Sequence, residues 1–218
     1  DKPFFLYLAH GAPHYPLQGP GDEGFREVGR RVGQPRVDRD ATYKAMIESM
    51  DAGIGRVLAA LEEHGLTENT LVIFCSDNGQ AGRGPGSAGP WRGSKGTVYE
   101  GGHRVPMVMR WPAQLGSGVV CDEVAVGMDL LPTFAALASV SLPEGVLIDG
   151  VQLRALVPDA VDGPRALHWV HGSQFACRWG VYVLVRRGDN PPELYNLNED
   201  LGQMNDLALE SPEEVEYL

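Results

Sequence analysis

The hydrophobic positions of the chain fall into blocks of different period, and the periods predict the elements. Between residues 41 and 64, Met46, Ile47, Met50, Ile54, Val57, Leu58 and Leu61 recur at offsets of 0, 1, 4, 8, 11, 12 and 15, one stripe at helical spacing. Asp40 is the expected N-cap and Gly65 the expected C-terminal stop. At 1.5 Å per residue such a helix is roughly 36 Å long, enough to cross a sheet face. Within a strand read over residues 70–75, residues 71–75 form an unbroken apolar run, the pattern of a strand buried on both faces, although a short buried helix shares it. Residues 4–8 read as an opening strand. Strand, helix and strand in that order predict a crossover that favours parallel pairing.

Further along, residues 105–112 read as a strand ended by Pro112, and residues 124–126 as a short one. Residues 129–138 read as a helix with Asp129 near its start and Pro132 in the first turn, the acid capping rather than catalysing. From about Gly150 the texture changes to short strand patterns at 166–170, 180–186 and 193–197, with a helix start at Ser211-Pro212. This predicts an α/β fold in two parts, residues 1–149 and a small antiparallel sheet with a helix over residues 150–218.

The run at 71–75 stops on Ser76-Asp77-Asn78-Gly79, a turn signal because Asn and Gly tolerate positive φ. In open α/β sheets ligands bind beyond the carboxyl ends of strands, and Asp77 with Asn78 offers two hard oxygens to a cation such as Ca²⁺. Taken alone, the same residues make an ordinary turn. Residues 79–102 then hold nine glycines and two prolines, too many for a helix. A loop of that length is uncommon unless it is functional or disordered. Arg83, Arg92, Lys95 and Arg104 stand there against one acid, Glu100, in a chain whose net charge is −11. A cationic loop beside two oxygen donors suits an anionic substrate group.

Ser76-Asp77-Asn78-Gly79, followed by Arg92-Gly93-Ser94-Lys95-Gly96-Thr97-Val98-Tyr99-Glu100-Gly101-Gly102-His103-Arg104-Val105-Pro106, resembles the formylglycine-dependent sulfatases of the arylsulfatase type, in the alkaline-phosphatase superfamily. Ala12-Pro13-His14-Tyr15-Pro16-Leu17 and Met128-Asp129-Leu130-Leu131-Pro132-Thr133 match further segments of that family. The resemblance implies an alkaline-phosphatase-like mixed sheet flanked by helices, present here in part, and hydrolysis of sulfate esters. It implies Asp77 and Asn78 as two Ca²⁺ ligands, and Lys95 and His14 as catalytic residues that contact the sulfate. Arg92 is a further substrate-binding candidate, although Arg92 and Arg104 could equally pair with Glu100. The family's nucleophile is a formylglycine made from the Cys of a Cys-x-Pro/Ala-x-Arg motif, and none of Cys75, Cys121 and Cys177 lies in one. That motif and an acidic pair of the calcium site lie upstream of the segment matched by residues 4–8. The chain, which opens on Asp1 without a starting Met, therefore reads as the later part of a longer polypeptide and is expected to be inactive alone.

Composition narrows the partners. With 43% hydrophobic and 22% charged residues the chain reads as a soluble globular protein, and no apolar stretch nears the roughly 18 residues of a membrane span. The acidic balance argues against nucleic acid, which selects a basic footprint. Residues 193–218 hold eight acids and no Lys or Arg, read as a solvated helix face and loops. The three cysteines fit no metal spacing and default to buried thiols, so the redox compartment stays open. The resemblance points to a sulfated small molecule or glycan as partner and to a periplasmic or secreted location. His10 gains no role, because Gly11, Pro13 and Pro16 rule out the helix that a zinc pair with His14 would need. Arg26, Arg30, Arg31, Arg36 and Arg39 stand as substrate contacts or solvated charges, and His103 as a bonded loop residue. Two other functions remain open. A zinc phosphatase or phosphodiesterase of the same superfamily would carry Asp-His at the turn, and a non-catalytic relative would bind sulfated glycan without cutting it.

Overall fold

The computed structural model describes residues 2–22, 38–82, 84–160, 163 and 165–218. The chain divides into two units, residues 1–67 with 80–87, and residues 68–79 with 88–218.

The first unit contains helix α1, Arg39–Glu63. Its N-cap is Asp38, two residues before the expected Asp40: Asp38 is extended, and its carboxylate accepts the Ala41 amide at 3.1 Å. Gly65, at φ 66°, ends the helix as expected, with Leu66 N–H closing back on the Leu61 carbonyl at 2.8 Å. The apolar stripe is only partly covered, with Met46 and Leu61 buried among the described residues. Residues 4–8 form no strand. A strand needs a ladder, and none is formed at these residues, whose side chains are exposed.

In the second unit, β1 (Val72–Cys75) pairs with β2 (Met107–Arg110). That pairing is antiparallel, and with no strand at residues 4–8 the expected parallel crossover onto β1 does not form among the described residues. The strand is not buried on both faces either: Phe74 and Cys75 are exposed, because β2 covers one edge and no described element covers that end. Helix α2 (Glu100–His103) is a single turn within the long loop. Residues 124–126 make no strand, since the Val126 amide is taken by Asp129 Oδ2 at 2.8 Å as the chain enters a 3-10 turn, Gly127–Asp129.

Helix α3 (Leu130–Leu137) follows. Asp129 does not cap it. Fully buried, the carboxylate instead receives a bidentate guanidinium from Arg165 (Nη1 to Oδ1, 2.6 Å), and the amides of Val126 and Val151. Thr133 extends the node, donating to the Asp129 carbonyl at 2.6 Å and accepting Leu153 N–H at 2.9 Å.

The carboxyl-terminal sheet is an antiparallel meander of β3 (Ala166–His171), β4 (Gln174–Trp179), β5 (Tyr182–Arg187) and β6 (Glu193–Asn196), followed by α4 (Pro212–Tyr217). The mixed α/β class with a small terminal antiparallel sheet and helix is what forms. Strand β4 is an addition to the expected set. It is set off by Gly172 and Gly180, both at φ 59°, in two-residue connections. Strand alternation and register put Trp169, Ala176 and Val185 in one row, and Val183 with Tyr195 beside it, on the same face. Val98, Tyr99 and Leu197 close over that face to make the core.

Glu193 sits at its border, accepting from Tyr99 Oη at 2.6 Å, Tyr195 Oη at 2.7 Å and Arg187 Nη2 at 2.9 Å. It is not a solvated acid, as the run of charge suggested. Asp206 likewise serves the fold, accepting Leu194 N–H at 3.0 Å. The cysteines differ too: Cys75 and Cys121 are exposed and Cys177 is half-buried.

Burial alone would raise the Asp129 pKa, but the hydrogen bonds from Arg165, Val126 and Val151 outweigh it and hold it below the ordinary value. Its contribution is therefore present above the unfolded carboxylate pKa of about 4 and is lost as pH falls through the lower folded value. Asp129→Ala leaves a buried guanidinium face unpaired and is expected to cost about 3–5 kcal/mol in urea unfolding, with the loss shrinking in strong acid. Tyr99 shows the opposite sign. Burial, then its bond to Glu193, raises the phenol to about 12. That stabilisation is complete below the unfolded pKa of about 10 and lost as pH rises through about 12. Ultraviolet phenolate titration should find Tyr99 late, and Glu193→Gln should bring it earlier.

Candidate functional site

Strand β1 delivers the turn Ser76-Asp77-Asn78-Gly79 at its carboxyl end. Ser76 Oγ donates to the Asn78 carbonyl at 3.0 Å, and Asn78 Nδ2 donates to the Gly79 carbonyl at 3.2 Å. The Asn78 side-chain oxygen and the exposed Asp77 carboxylate accept no hydrogen bond among the described residues. Two hard oxygens are thus presented at one turn, chemistry that suits Ca²⁺ better than an imidazole-seeking zinc ion. They are a partial set, since no group of three or more His, Cys, Asp or Glu is placed to hold a metal among the described residues.

The turn is fixed by backbone on backbone. Gly79 N–H donates to the Gly102 carbonyl at 3.0 Å, and Gly101 N–H to the Arg92 carbonyl at 2.7 Å. A β-carbon at Gly79 would strike the Gly101 carbonyl oxygen, and one at Gly102 would strike that of Thr97. One at Gly101 would lie 2.6 Å from the carbonyl oxygens of both Arg92 and Gly93. Glu100-Gly101-Gly102 is therefore a wedge that seats the Asp77-Asn78 turn on one side and the Arg92–Thr97 loop on the other. In that loop Thr97 Oγ1 donates to the Ser94 carbonyl at 2.8 Å and accepts Ser94 N–H at 3.2 Å, so that exposed Lys95 rides a locally closed turn.

Arg92 and Arg104, from the same cationic loop, make contacts within the fold, while Arg83 lies outside the described residues. Arg92 Nη1 donates to Tyr195 Oη and to the Gln203 carbonyl, both at 2.7 Å, and its guanidinium lies over the Tyr99 ring at 4.1 Å. Arg104 bonds Glu100 Oε2 at 3.1 Å and covers Trp91 at 3.8 Å. Glu100 is buried, near Arg178 as well, and its amide donates to Gln203 Oε1 at 2.9 Å. His103 stacks on Trp169 at 4.2 Å with its Nε2 on the Val98 carbonyl at 3.2 Å, and burial lowers its pKa in spite of Glu100. These partners lie up to 111 residues away, so no local pattern announced Glu193, Tyr195 or Gln203 as supports of the loop.

His14 belongs to the first unit, on an exposed turn in which its amide donates to the Gly11 carbonyl at 3.0 Å and its Nδ1 lies 2.6 Å from the Tyr15 carbonyl. Asp77, Asn78, Lys95 and Arg92 all belong to the second. His10 lines a shallow pocket of about 320 Å³ with Met46, Met50 and Arg56. Of the arginine group, Arg26, Arg30, Arg31 and Arg36 lie outside the described residues, and Arg39 opens α1.

Comparison with known proteins identifies a family. The Sulfatase family model matches residues 1–140, and the model for the carboxyl-terminal part of N-sulphoglucosamine sulphohydrolase matches residues 91–215. Arylsulfatase A of Homo sapiens is 34% identical over 93% of this chain and 44% of its own length. Steryl-sulfatase of Mus musculus is 38% identical over 82% of this chain and 28% of its own. The crystal structure of Ps i-CgsB in complex with k-i-k-neocarrahexaose superposes with a TM-score of 0.79 at 28% identity, over 99% of this chain and 49% of that one. The chain thus spans less than half the length of these relatives. With its Asp-Asn-Gly turn and its Lys-Gly-Thr-x-x-Glu-Gly-Gly loop seated on one glycine wedge, the chain belongs to the sulfatase family.

Proposed function

We propose that this chain supplies the later part of a sulfate-ester hydrolase site, completed by a nucleophile on another part of the natural polypeptide. The observation that carries this reading is the glycine wedge, because backbone contacts at Gly79, Gly101 and Gly102 seat the turn of the two oxygen donors and the loop of the lysine on one short segment. Asp77 and Asn78 would hold Ca²⁺, which when bound supplies Lewis-acid polarisation of the sulfuryl group. Lys95 brings a compact positive charge to the sulfuryl oxygens, where negative charge grows as the ester bond breaks. His14 is the candidate donor on the leaving-group side. Arg92 is assigned to the framework, since its Nη1 is engaged by Tyr195 and Gln203 and its guanidinium lies over the Tyr99 ring. A sulfated sugar or other sulfated small molecule is the proposed substrate class, and the relatives that share this family support it. The division at residue 149 is retained as a functional one: the metal-type oxygens and Lys95 before it, and after it the sheet whose residues anchor the lysine-bearing loop.

The test uses the full natural polypeptide that carries this chain. Lys95→Ala is expected to lower kcat/KM for 4-nitrocatechol sulfate by about 100-fold or more, the usual scale for losing one transition-state donor. Asn78→Ala should raise the Ca²⁺ concentration needed for half activity. Activity restored by zinc and not by calcium would instead favour a phosphoester hydrolase, and Ca²⁺-dependent binding without turnover a glycan-binding relative. A separate check is the isolated chain, residues 1–218, in which no aryl sulfate turnover is expected because Cys75, Cys121 and Cys177 all lack the nucleophile context.

A further inference from the structure

Resting on the reading of Lys95 as a sulfate-recognising residue, we infer that His171 is a second ligand-contacting residue of the same site, delivered by the carboxyl-terminal sheet. The β3–β4 hairpin turns through Gly172 and Ser173, with His171 opposite Gln174 and Gly188 N–H closing on the Ser173 carbonyl at 2.8 Å. Its tip docks on the residue after Lys95: Gln174 Nε2 donates to the Gly96 carbonyl at 3.2 Å. A β-carbon at Gly96 would stand 3.8 Å from His171 Nε2, so the edge of the imidazole lies beside the Gly96 backbone. Gly96 itself has φ 89°, a conformation that keeps this position open to glycine and keeps a side chain from separating the two.

Strand alternation supports the placement. His171 is two residues from Trp169 and shares its face, the face on which Val98, Tyr99 and His103 lie. Whereas His103 stacks on Trp169 and is half-covered, His171 is exposed and its ring makes no hydrogen bond among the described residues. An imidazole in that position has no fold role to fill. Beside the backbone of the lysine-bearing loop it adds a directional N–H to a compact charge. That combination fits an oxygen of the sulfated ligand, either on the sulfate or on the alcohol that carries it. His171 is in this sense a recognition residue.

The experiment labels histidine with ¹⁵N in the full natural polypeptide and follows ring resonances in the presence of Ca²⁺. The probes are inorganic sulfate and 6-deoxy-6-sulfoglucose, whose carbon–sulfur bond is not hydrolysed. The expected result is a shift of the His171 ring with the sulfonated sugar, and binding at least fivefold weaker in His171→Ala, partly recovered in His171→Asn. A response to inorganic sulfate as well puts the contact on the sulfate oxygens, and a response to the sugar alone puts it on the alcohol part. Gln174→Ala, which unpins the hairpin tip without touching the imidazole, should reduce the response. If Lys95→Ala abolishes binding but His171 neither shifts nor affects affinity, the inference is overturned and the sulfate site stands. If Lys95→Ala leaves binding of both probes unchanged, or neither probe binds, both readings fall.

Discussion

Three stretches of backbone meet at Gly79, Gly101 and Gly102 more closely than any side chain permits, and the position of every candidate group in the second unit depends on that meeting. The carbonyl oxygens of Gly101 and Thr97 occupy the space where β-carbons of Gly79 and Gly102 would be. Interiors packed to the density of organic crystals cannot absorb such an overlap without moving the chain. Because the Asp77-Asn78 turn hangs from Gly79 and Lys95 from the loop against Gly102, a shift at the junction separates metal-type oxygens from cationic charge. Nothing in the hydrogen bonds of Asp77 or Asn78 themselves fixes their place. Their geometry is borrowed from a backbone contact two dozen residues along the chain.

Beneath that junction the support is polar, and it is closed. Arg92, Tyr99, Tyr195, Arg187 and Glu193 share short hydrogen bonds at the border of an apolar core. A carboxylate placed there without partners would be costly, whereas two phenols and two guanidiniums together satisfy it. Burial would raise the Glu193 pKa, yet those donors hold it down, while both phenols are pushed up. The group keeps one protonation state across the neutral range, so the loop above it rests on a constant charge. Asp129 repeats the design on α3, with Arg165 and two amides in place of the phenols.

The sequence was informative wherever structure is local. Helix α1 follows its apolar stripe and stops at Gly65, since both signals act within a turn or two. The candidate turn and loop were legible because the glycines that permit close approach are written into them. What failed was pairing. Residues 4–8 and 70–75 carry strand composition, but composition does not name a partner, and neither the parallel crossover nor two-sided burial followed. Strand β4 escaped notice because Gln174 and Arg178 interrupt its apolar character, although Gly172 and Gly180 mark its ends. Glu193 read as one of eight solvated acids because, apart from its strand neighbour Tyr195, its partners lie on another strand, as Arg187 does, or in the loop of Arg92 and Tyr99, far back along the chain. Lys95 and Asp77 show as candidates by type and spacing, while His171 gains interest only from the hairpin that carries it to Gly96.

The long reach of Arg92 has a consequence for biosynthesis. Its two shortest hydrogen bonds go to Tyr195 and to the Gln203 carbonyl, 103 and 111 residues further on. Such contacts require the closure of a very large loop, and they form late relative to hairpins and helices. On the ribosome, residues 92–104 emerge long before their anchors exist, and they stay unanchored until the four-stranded meander and the turn at Gln203 have been made. The lysine-bearing loop is therefore among the last parts of this chain to mature, and a nascent chain halted before residue 203 holds all the residues of the wedge without the clamp that sets them.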